Sequence, residues 1–338
     1  MQVVVYGAGA VGSVLGGMLS CHHNDVLLVG RASLVEAVAQ GGLRLKSATG
    51  ERVAHPKALA TLAAGDAAPG ACVLLTVKCY DVAAAVAALA RVIPADTPIV
   101  CFQNGVASEA VVAKTFSRVH GGVCRMTCSM VQPGSASFRA PGRVVVGIHP
   151  KGSDAFTRAL ALAFREAGFD AASSRTIASD KWLKLALNTQ TVVHAAVDVR
   201  DHDTNEFQEL NASLLDEVRR VFRAAKVRAR SCDGRDPSIE AMIAELRRPR
   251  ARRSDHGVKV HNSLWQDLYL KRAHIESEYI HGPIIALGRE HGVATPYNAA
   301  MLDIAGRLRA SGAAPESLRL TELLEAVERR RPSAGQQP

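Results

Sequence analysis

Three glycines near the start of the chain, Gly7, Gly9 and Gly12, have the G-x-G-x-x-G spacing that can bring backbone amides up to a phosphate group. They follow the apolar run Val3–Tyr6 and precede a segment of helical character, after which a second apolar run ends at Val29. In this order of strand, turn, helix and strand, the first glycine permits the tight turn, the second lets the backbone approach a pyrophosphate, and the third allows close helix–strand packing. The N-terminus of the helix adds free N–H groups and the positive end of its dipole. We therefore predict that this segment binds a dinucleotide.

The residues after the second apolar run indicate which dinucleotide would bind. NAD-binding proteins of this kind usually place an Asp or Glu there, which accepts hydrogen bonds from the ribose hydroxyls. This chain has Gly30 and Arg31 instead. A guanidinium grips a 2′-phosphate through two parallel hydrogen bonds, whereas a carboxylate would repel it. We predict NADP(H), bound in part by Arg31; the alternative is a solvated loop arginine.

Two further polar residues follow predicted strands. Lys78 comes directly after the apolar run 72–77, and Asn104 lies two residues beyond the run 98–102. Because ligands of open parallel sheets bind beyond the carboxyl ends of the strands, we expect both residues to edge the nicotinamide–ribose side of the crevice. The alternatives are a surface lysine and an Asn-Gly turn.

The second half of the chain supplies candidate acid–base residues. Lys184 and Asn188 are four residues apart, and thus on one face of a predicted helix whose other residues are mostly apolar. Burial favours the neutral form of a lysine, which suits acid–base work near neutral pH. Lys181 is a competing candidate, although its neighbours predict greater exposure. Glu276 and Glu278 are two residues apart, so on a helix only one of them can line a site.

The helices and strands that must position these residues are predicted from the spacing of apolar residues, which changes along the chain. Alternating strands and helices in the first half predict a parallel sheet with helices on both faces, followed by two β-like stretches that resemble an antiparallel edge. From about Thr176 onward, apolar residues recur every three or four positions, which predicts helices. The predicted fold class is α/β: an N-terminal Rossmann-type dinucleotide-binding domain (1–176), then an all-helical C-terminal domain (177–328) and a disordered tail (329–338), with the active site in the cleft between the domains. The predicted strands are 2–6, 25–29, 43–47, 72–77, 98–102, 122–131 and 143–148; the predicted helices are 32–40, 80–91, 106–116, 178–196, 204–226, 237–247, 262–291 and 298–309.

Composition narrows the class of protein. The seven cysteines show no CxxC spacing, and no apolar run reaches the length of a membrane span, so we expect a cytoplasmic protein without a metal site. The net charge is +9, and five arginines fall within residues 247–253. Neither a nucleic-acid-binding fold nor base-stacking aromatics accompany them, so we predict no nucleic-acid partner. This run is either a solvated loop or a patch that attracts an anionic cofactor or acid substrate.

Taken together, the motifs resemble the ketopantoate reductase (2-dehydropantoate 2-reductase) family over nearly the whole chain, to about residue 310. The resemblance implies a Rossmann domain joined to a helical domain, and NADPH-dependent reduction of a 2-oxo acid to a 2-hydroxy acid. The reaction it implies first is 2-dehydropantoate to pantoate, a step of pantothenate biosynthesis. The motifs are GAGAVG at 7–12, GR at 30–31, TVK at 76–78, QNG at 103–105, KWLKLALN at 181–188, NSLWQD at 262–267 and ESEYIHG at 276–282.

The resemblance also implies roles for individual residues. Lys184 matches the family's catalytic lysine, a general acid that protonates the substrate carbonyl oxygen as hydride reaches carbon 2. Glu276 matches a carboxylate that orients the substrate. Asn104 matches an asparagine near the nicotinamide, and Asn188 and Ser263 match residues that hold the substrate. Cofactor-binding positions of the family are matched by Gly7, Gly9, Gly12, Arg31 and Lys78.

The chain departs from the family pattern at two places. Val192 stands where a second asparagine is usual, four residues after the first, and Asn262 stands where a second serine is common. Loss of an amide weakens a preference for hydroxylated substrates, so we expect tolerance of apolar 2-oxo acids. A relative that acts on another 2-oxo acid, or in the oxidising direction, therefore stays an alternative, as does a non-catalytic NADP-binding sensor. A homodimer is possible, but no residue pattern requires one.

Overall fold

The computed structural model describes residues 1–248 and 261–331. Two compact units are present: one consists chiefly of Met1–Lys181, and the other begins at Trp182. The strands are β1 Val3–Tyr6, β2 Val26–Val29, β3 Leu43–Ser47, β4 Gly50–Ala54, β5 Lys57–Leu59, β6 Cys72–Leu75, β7 Ile99–Cys101, β8 Val119–Arg125, β9 Cys128–Gln132, β10 Ser135–Phe138, β11 Arg143–Ile148 and β12 Asp170–Ser173. The helices are α1 Ala10–Cys21, α2 Ala32–Gly41, α3 Val82–Leu89, α4 Ser108–Val112, α5 Ala155–Glu166, α6 Ile177–Asn188, α7 Thr191–Ala196, α8 Asn205–Ala224, α9 Ile239–Leu246, α10 Ser263–Tyr269, α11 Ser277–Glu290, α12 Pro296–Ser311 and α13 Leu320–Glu328. Cys79–Asp81 and Val199–Asp201 form short 3₁₀ helices.

The first unit is built around an eight-stranded sheet with the order β12-β11-β8-β7-β6-β1-β2-β5. From β5 to β8 all neighbours are parallel, and this six-stranded part has the strand order of the dinucleotide-binding fold, which reverses between β1 and β6. The strands β1, β2 and β6 are almost wholly apolar because helices cover both faces of the sheet. The predicted α/β fold class is thus confirmed. The predicted antiparallel segment is also present, as β11 pairs with β8, although β12 rather than β11 forms the edge.

A second sheet of four strands, with the order β4-β3-β10-β9, was not predicted. The prediction that strand 43–47 joins the parallel sheet is wrong, since β3 lies in this second sheet and the three-residue β5 takes the third parallel position. The alternation of buried leucine with exposed Arg44 and Lys46 explains the difference, because it suits a sheet with one solvated face. Helix α1 contacts both sheets through adjacent glycines. A Cβ on Gly16 would lie 2.7 Å from Leu28, and one on Gly17 would lie 2.9 Å from Leu43.

The second unit is helical in the part that the structure describes. Its apolar core is formed by residues of α7, α8, α10, α12 and α13. The predicted single helix 262–291 is wrong, since α10 ends at Tyr269 and α11 begins at Ser277. The turn that follows α10 holds Lys271 in the left-handed region with φ of 47°, which a continuous helix does not contain. The helices α5 and α13 were not predicted.

Two predicted features are only partly described. In the arginine-rich segment, Arg247 pairs with Glu209 at 2.8 Å and Arg248 pairs with Glu245 at 2.9 Å, while residues 249–253 lie outside the described range. Of the tail predicted to be disordered, residues 332–338 also lie outside it. Among the helices in the described ranges, none has both the length and the apolar character that crossing a bilayer requires.

Candidate functional site

The glycine turn after β1 is shaped by close contacts with the end of β6. Gly7 has a φ of 105°, and a Cβ there would lie 2.5 Å from the Val77 backbone nitrogen. A Cβ on Gly12 would lie 2.5 Å from the Thr76 hydroxyl oxygen, which donates a hydrogen bond to the Gly7 carbonyl oxygen at 2.9 Å. Gly9 is different, because a Cβ on it would meet only the Gly7 carbonyl, at 3.9 Å. The first and third glycines therefore close the turn, while the second leaves space over the backbone for a phosphate.

Arg31 lies next to this turn. The amides of Gly7 and Ala8 donate to the Val29 carbonyl at 3.0 and 2.9 Å, which joins the glycine turn to the end of β2. Arg31 comes two residues later, directly before α2, and its side chain is exposed. The contact of this exposed guanidinium with a 2′-phosphate stays a prediction.

Lys78 and Asn104 lie on the same edge of the sheet as the glycine turn. They are joined through Gln103, whose amide nitrogen donates to the carbonyls of Leu75 at 2.8 Å and Val77 at 3.1 Å. The side chain of Gln103 is only 3% exposed, and its oxygen Oε1 has no hydrogen-bond partner among the described residues. A buried carbonyl oxygen without a partner is costly, and a ligand hydroxyl or amide can satisfy it. Together with the open space over Gly9, it shows that this edge fits a dinucleotide.

Thr76 and Gln103 were quoted in sequence motifs but not assigned roles. Both act by connecting strand ends, since the Thr76 hydroxyl holds the glycine turn and the Gln103 amide joins β6 to the residues after β7. The only signal for them in the sequence is their place directly after buried strands. Such a place predicts location at the ligand-binding edge, but it does not reveal which backbone groups a side chain will bind.

The expectation that Lys181 is exposed is wrong. Its side chain is 4% exposed and forms an ion pair with Glu109, which is 1% exposed. The neighbouring Asp180 is also buried and accepts a hydrogen bond from the Ser174 hydroxyl at 2.7 Å. The first turn of α6 is therefore held by buried polar contacts, and Lys181 serves as one of them.

Lys184 and Asn188 lie farther along α6, on one face of the helix. Both are half-buried, whereas the apolar residues Leu183, Leu185 and Ala186 of the same helix are fully buried and Leu187 is half-buried. This distribution agrees with a helix that buries its apolar residues and presents one polar face. Lys184 therefore remains the candidate acid of the helical unit.

Hydrogen bonds join Asn188 to the start of α10, where Ser263 lies. The Thr191 hydroxyl donates to the Asn188 carbonyl at 2.7 Å, and the Asn262 amide donates to the Thr191 carbonyl at 3.1 Å. Ser263 follows Asn262 as the first residue of α10 and is half-buried. The segments that carry the two predicted substrate residues of the helical unit are thus joined by hydrogen bonds. Val192, expected to make the substrate pocket more apolar, is fully buried in the core of this unit.

The two candidate glutamates differ in environment. Glu276 is 6% exposed and directly precedes α11, so it is not part of a regular helix as the sequence predicted. Its neighbour Ile275 packs against the same apolar core as Leu264, one residue from Ser263. Glu278 is exposed and lines an open surface groove. Glu276 is therefore the glutamate that suits an enclosed site.

Sequence comparison identifies the family. The family described as "Ketopantoate reductase PanE/ApbA" matches residues 3–151, and "Ketopantoate reductase PanE/ApbA C terminal" matches residues 176–309. The chain belongs to the ketopantoate reductase family. Membership assigns it to the NADP-dependent oxidoreductases that act on CH–OH groups, with NADP(H) as the cofactor.

Individual relatives agree with the family, and solved structures agree with the fold. A 2-dehydropantoate 2-reductase from Pyrococcus horikoshii is 26% identical over 302 residues, which cover 88% of this chain and 94% of that protein. The crystal structure of 2-dehydropantoate 2-reductase from Methylococcus capsulatus is 26% identical, with a TM-score of 0.74 over 92% of this chain and 98% of that one. The fold is also similar to D-mandelate dehydrogenase, solved with NADH and anilino(oxo)acetate, at 23% identity and a TM-score of 0.76 over 92% and 99% of the two chains.

Proposed function

We propose that this chain reduces a 2-oxo acid to the 2-hydroxy acid with NADPH, and that 2-dehydropantoate, which gives pantoate, is its substrate. The observation that carries the proposal is the polar face of α6, where Lys184 and Asn188 are half-buried while Leu183, Leu185 and Ala186 of the same helix are fully buried. A half-buried lysine on such a face can present its ammonium to a bound ligand, and perturbed lysines of this kind are candidates for acid–base work. The relatives named 2-dehydropantoate 2-reductase support the choice of substrate.

Bound NADPH supplies a hydride to carbon 2 of the substrate. As the carbonyl double bond opens, negative charge develops on its oxygen, and the Lys184 ammonium stabilises that charge and transfers a proton to it. The C–H and O–H bonds of the hydroxy acid are then complete, and Lys184 regains its proton from solvent. Ser263 and Asn188 supply hydrogen bonds to the polar groups of the substrate, and the carboxylate of Glu276 orients it.

The residues of the first unit bind the cofactor in this proposal. The amides around Gly9 and the N-terminus of α1 hold the pyrophosphate, and Arg31 holds the 2′-phosphate. Lys78 and Asn104 contact the nicotinamide–ribose part. We propose a reducing compartment such as the cytoplasm as the place where the enzyme acts, because five of the seven cysteines are buried and none shows CxxC spacing.

A second substrate class is favoured by position 192. A buried valine offers no hydrogen bond to a substrate hydroxyl, and the fold is similar to an enzyme solved with anilino(oxo)acetate. We therefore propose apolar 2-oxo acids as alternative substrates.

Loss of NADPH absorbance on addition of 2-dehydropantoate, its deoxy analogue and a series of apolar 2-oxo acids tests the proposal. Turnover with kcat/KM highest for 2-dehydropantoate supports it, and a strong preference for the deoxy analogue or an apolar acid transfers the assignment to the second class. NADPH binding without turnover of any 2-oxo acid would contradict both and favour a sensor.

A further inference from the structure

The carboxamide of Asn262 makes two hydrogen bonds of opposite kind. Its oxygen Oδ1 accepts from the Trp265 amide at 2.9 Å and so caps the N-terminus of α10. Its nitrogen Nδ2 donates to the Thr191 carbonyl at 3.1 Å, at the first residue of α7. One side chain thus fixes the beginning of α10 and joins it to the beginning of α7.

The same connection continues to α6. The Thr191 hydroxyl donates to the carbonyl of Asn188, the last residue of α6, at 2.7 Å. A continuous path of two hydrogen bonds therefore runs from the backbone of Asn188 to the side chain of Asn262, which is bonded covalently to Ser263. Among the residues that the structure describes, none makes a hydrogen bond to the half-buried hydroxyl of Ser263. That hydroxyl is available to a ligand, and its position is set by its neighbour.

The two contacts of residue 262, to α10 and to Thr191, need a carboxamide in particular. A helix cap requires an acceptor atom, and the contact to Thr191 requires a donor at a second atom of the same side chain. Serine, usual at this place in the family pattern, has one hydroxyl to serve both contacts. The asparagine usual at 192 is replaced by a valine that is fully buried in the apolar core. Asn262 therefore supplies with one side chain both the acceptor for α10 and the donor for Thr191.

We propose that Asn262 is a positioning residue for substrate binding: by bonding Thr191 and capping α10 at once, it holds the Ser263 hydroxyl at a fixed distance from Asn188. This inference rests on the proposed function, in which both residues bind the 2-oxo acid. It concerns the affinity for the substrate and leaves the cofactor and the proton donor unaffected.

Asn262→Asp and Asn262→Ser test the inference, because both keep an acceptor for the Trp265 amide and neither presents an amide donor to Thr191. We expect the KM of the 2-oxo acid to rise about tenfold in both variants, the loss that corresponds to one well-formed hydrogen bond, while the Kd of NADPH stays unchanged. Ser238→Ala is the matched control, since it removes the cap of α9, where Ser238 accepts from the Ala241 amide. The control is expected to lower the melting temperature without changing KM.

An unchanged KM in both Asn262 variants, with only a lower melting temperature, would overturn the inference and leave Asn262 as a structural cap. Absence of turnover in the wild type would instead contradict the proposed function. The Kd of oxamate, a non-reducible analogue, for the NADPH complex then decides the inference: a weaker Kd in Asn262→Asp supports it, and equal values in wild type and variant overturn it.

Discussion

The ion pair between Lys181 and Glu109 leads to a prediction whose size follows from its burial. With side chains 4% and 1% exposed, neither group can regain water if its partner is removed. Removing one member of a buried pair costs about 3–5 kcal/mol, because the remaining charge stays buried without compensation. We therefore expect Lys181→Met and Glu109→Leu each to destabilise the first unit by about 4 kcal/mol.

The double variant distinguishes the pair from two independent contacts. When both charges are replaced by apolar groups of similar volume, no uncompensated charge remains, and the loss is expected to be much smaller than the sum of the single losses. Thermal unfolding followed by circular dichroism measures this. A loss of about 4 kcal/mol lowers the melting temperature of a unit of this size by about 10 °C.

Either of two results would refute this reasoning. Single variants that melt within about 2 °C of the wild type, which corresponds to less than about 1 kcal/mol, would show that the pair is solvated. Additive losses in the double variant would show that the two charges do not compensate each other.

Three further predictions concern the glycine turn, the cofactor and acid stability. Gly9→Ala is expected to weaken NADPH binding about tenfold and to leave the melting temperature unchanged. Gly12→Ala is expected to lower both the NADPH affinity and the melting temperature, because its Cβ would lie 2.5 Å from another atom. Calorimetric titration measures the affinity, and thermal melts measure the stability. Arg31→Ala should raise the Kd of NADPH about 10–100-fold, because a charge-assisted contact to the 2′-phosphate is lost. The Kd of NADH, which has no 2′-phosphate, should be nearly unchanged. Equal effects on both cofactors would contradict this prediction. Burial lowers the pKa of His281 from 6.5 to about 4, so the unfolded chain takes up a proton that the folded one does not, and about 3 kcal/mol of stability is lost as the pH falls from about 6.5 to about 4. Burial also raises the pKa of Glu217, which stabilises the folded protein towards acid pH and so opposes the effect of His281. Urea unfolding of the wild type is therefore compared with that of His281→Asn. The variant should lose less free energy of unfolding than the wild type as the pH falls.

Local patterns in the sequence predict the dinucleotide-binding half well. The turn 7–12, the apolar run before it and the helix after it are continuous in the chain, so spacing alone indicates β1, α1 and β2. Strand β5, Lys57–Leu59, has only three residues, which are too few to show the alternation of apolar and polar residues that marks a strand. Its place in the parallel sheet depends on pairing with β2, which the local pattern does not contain.

Two contacts that the sequence does not reveal have a similar cause. Lys181 is predicted to be exposed from its neighbours, but its burial depends on Glu109, 72 residues earlier in the chain. The contact between Asn262 and Thr191 likewise joins residues 71 positions apart. A single sequence shows which side chains are polar, and it does not show which partner each one meets across such distances.

The most direct test of the account compares two lysines of the same helix. Lys184→Met and Lys181→Met each remove an ammonium from α6 and keep a stem of similar length, and kcat for the 2-oxo acid is measured well below the melting temperature of both. We expect Lys184→Met to lower kcat about 10²–10⁴-fold with the Kd of NADPH unchanged, since general acid catalysis contributes about that much. Lys181→Met is expected to keep kcat within a few-fold. A Lys184→Met enzyme that retains most of its kcat would contradict the central claim that Lys184 protonates the substrate.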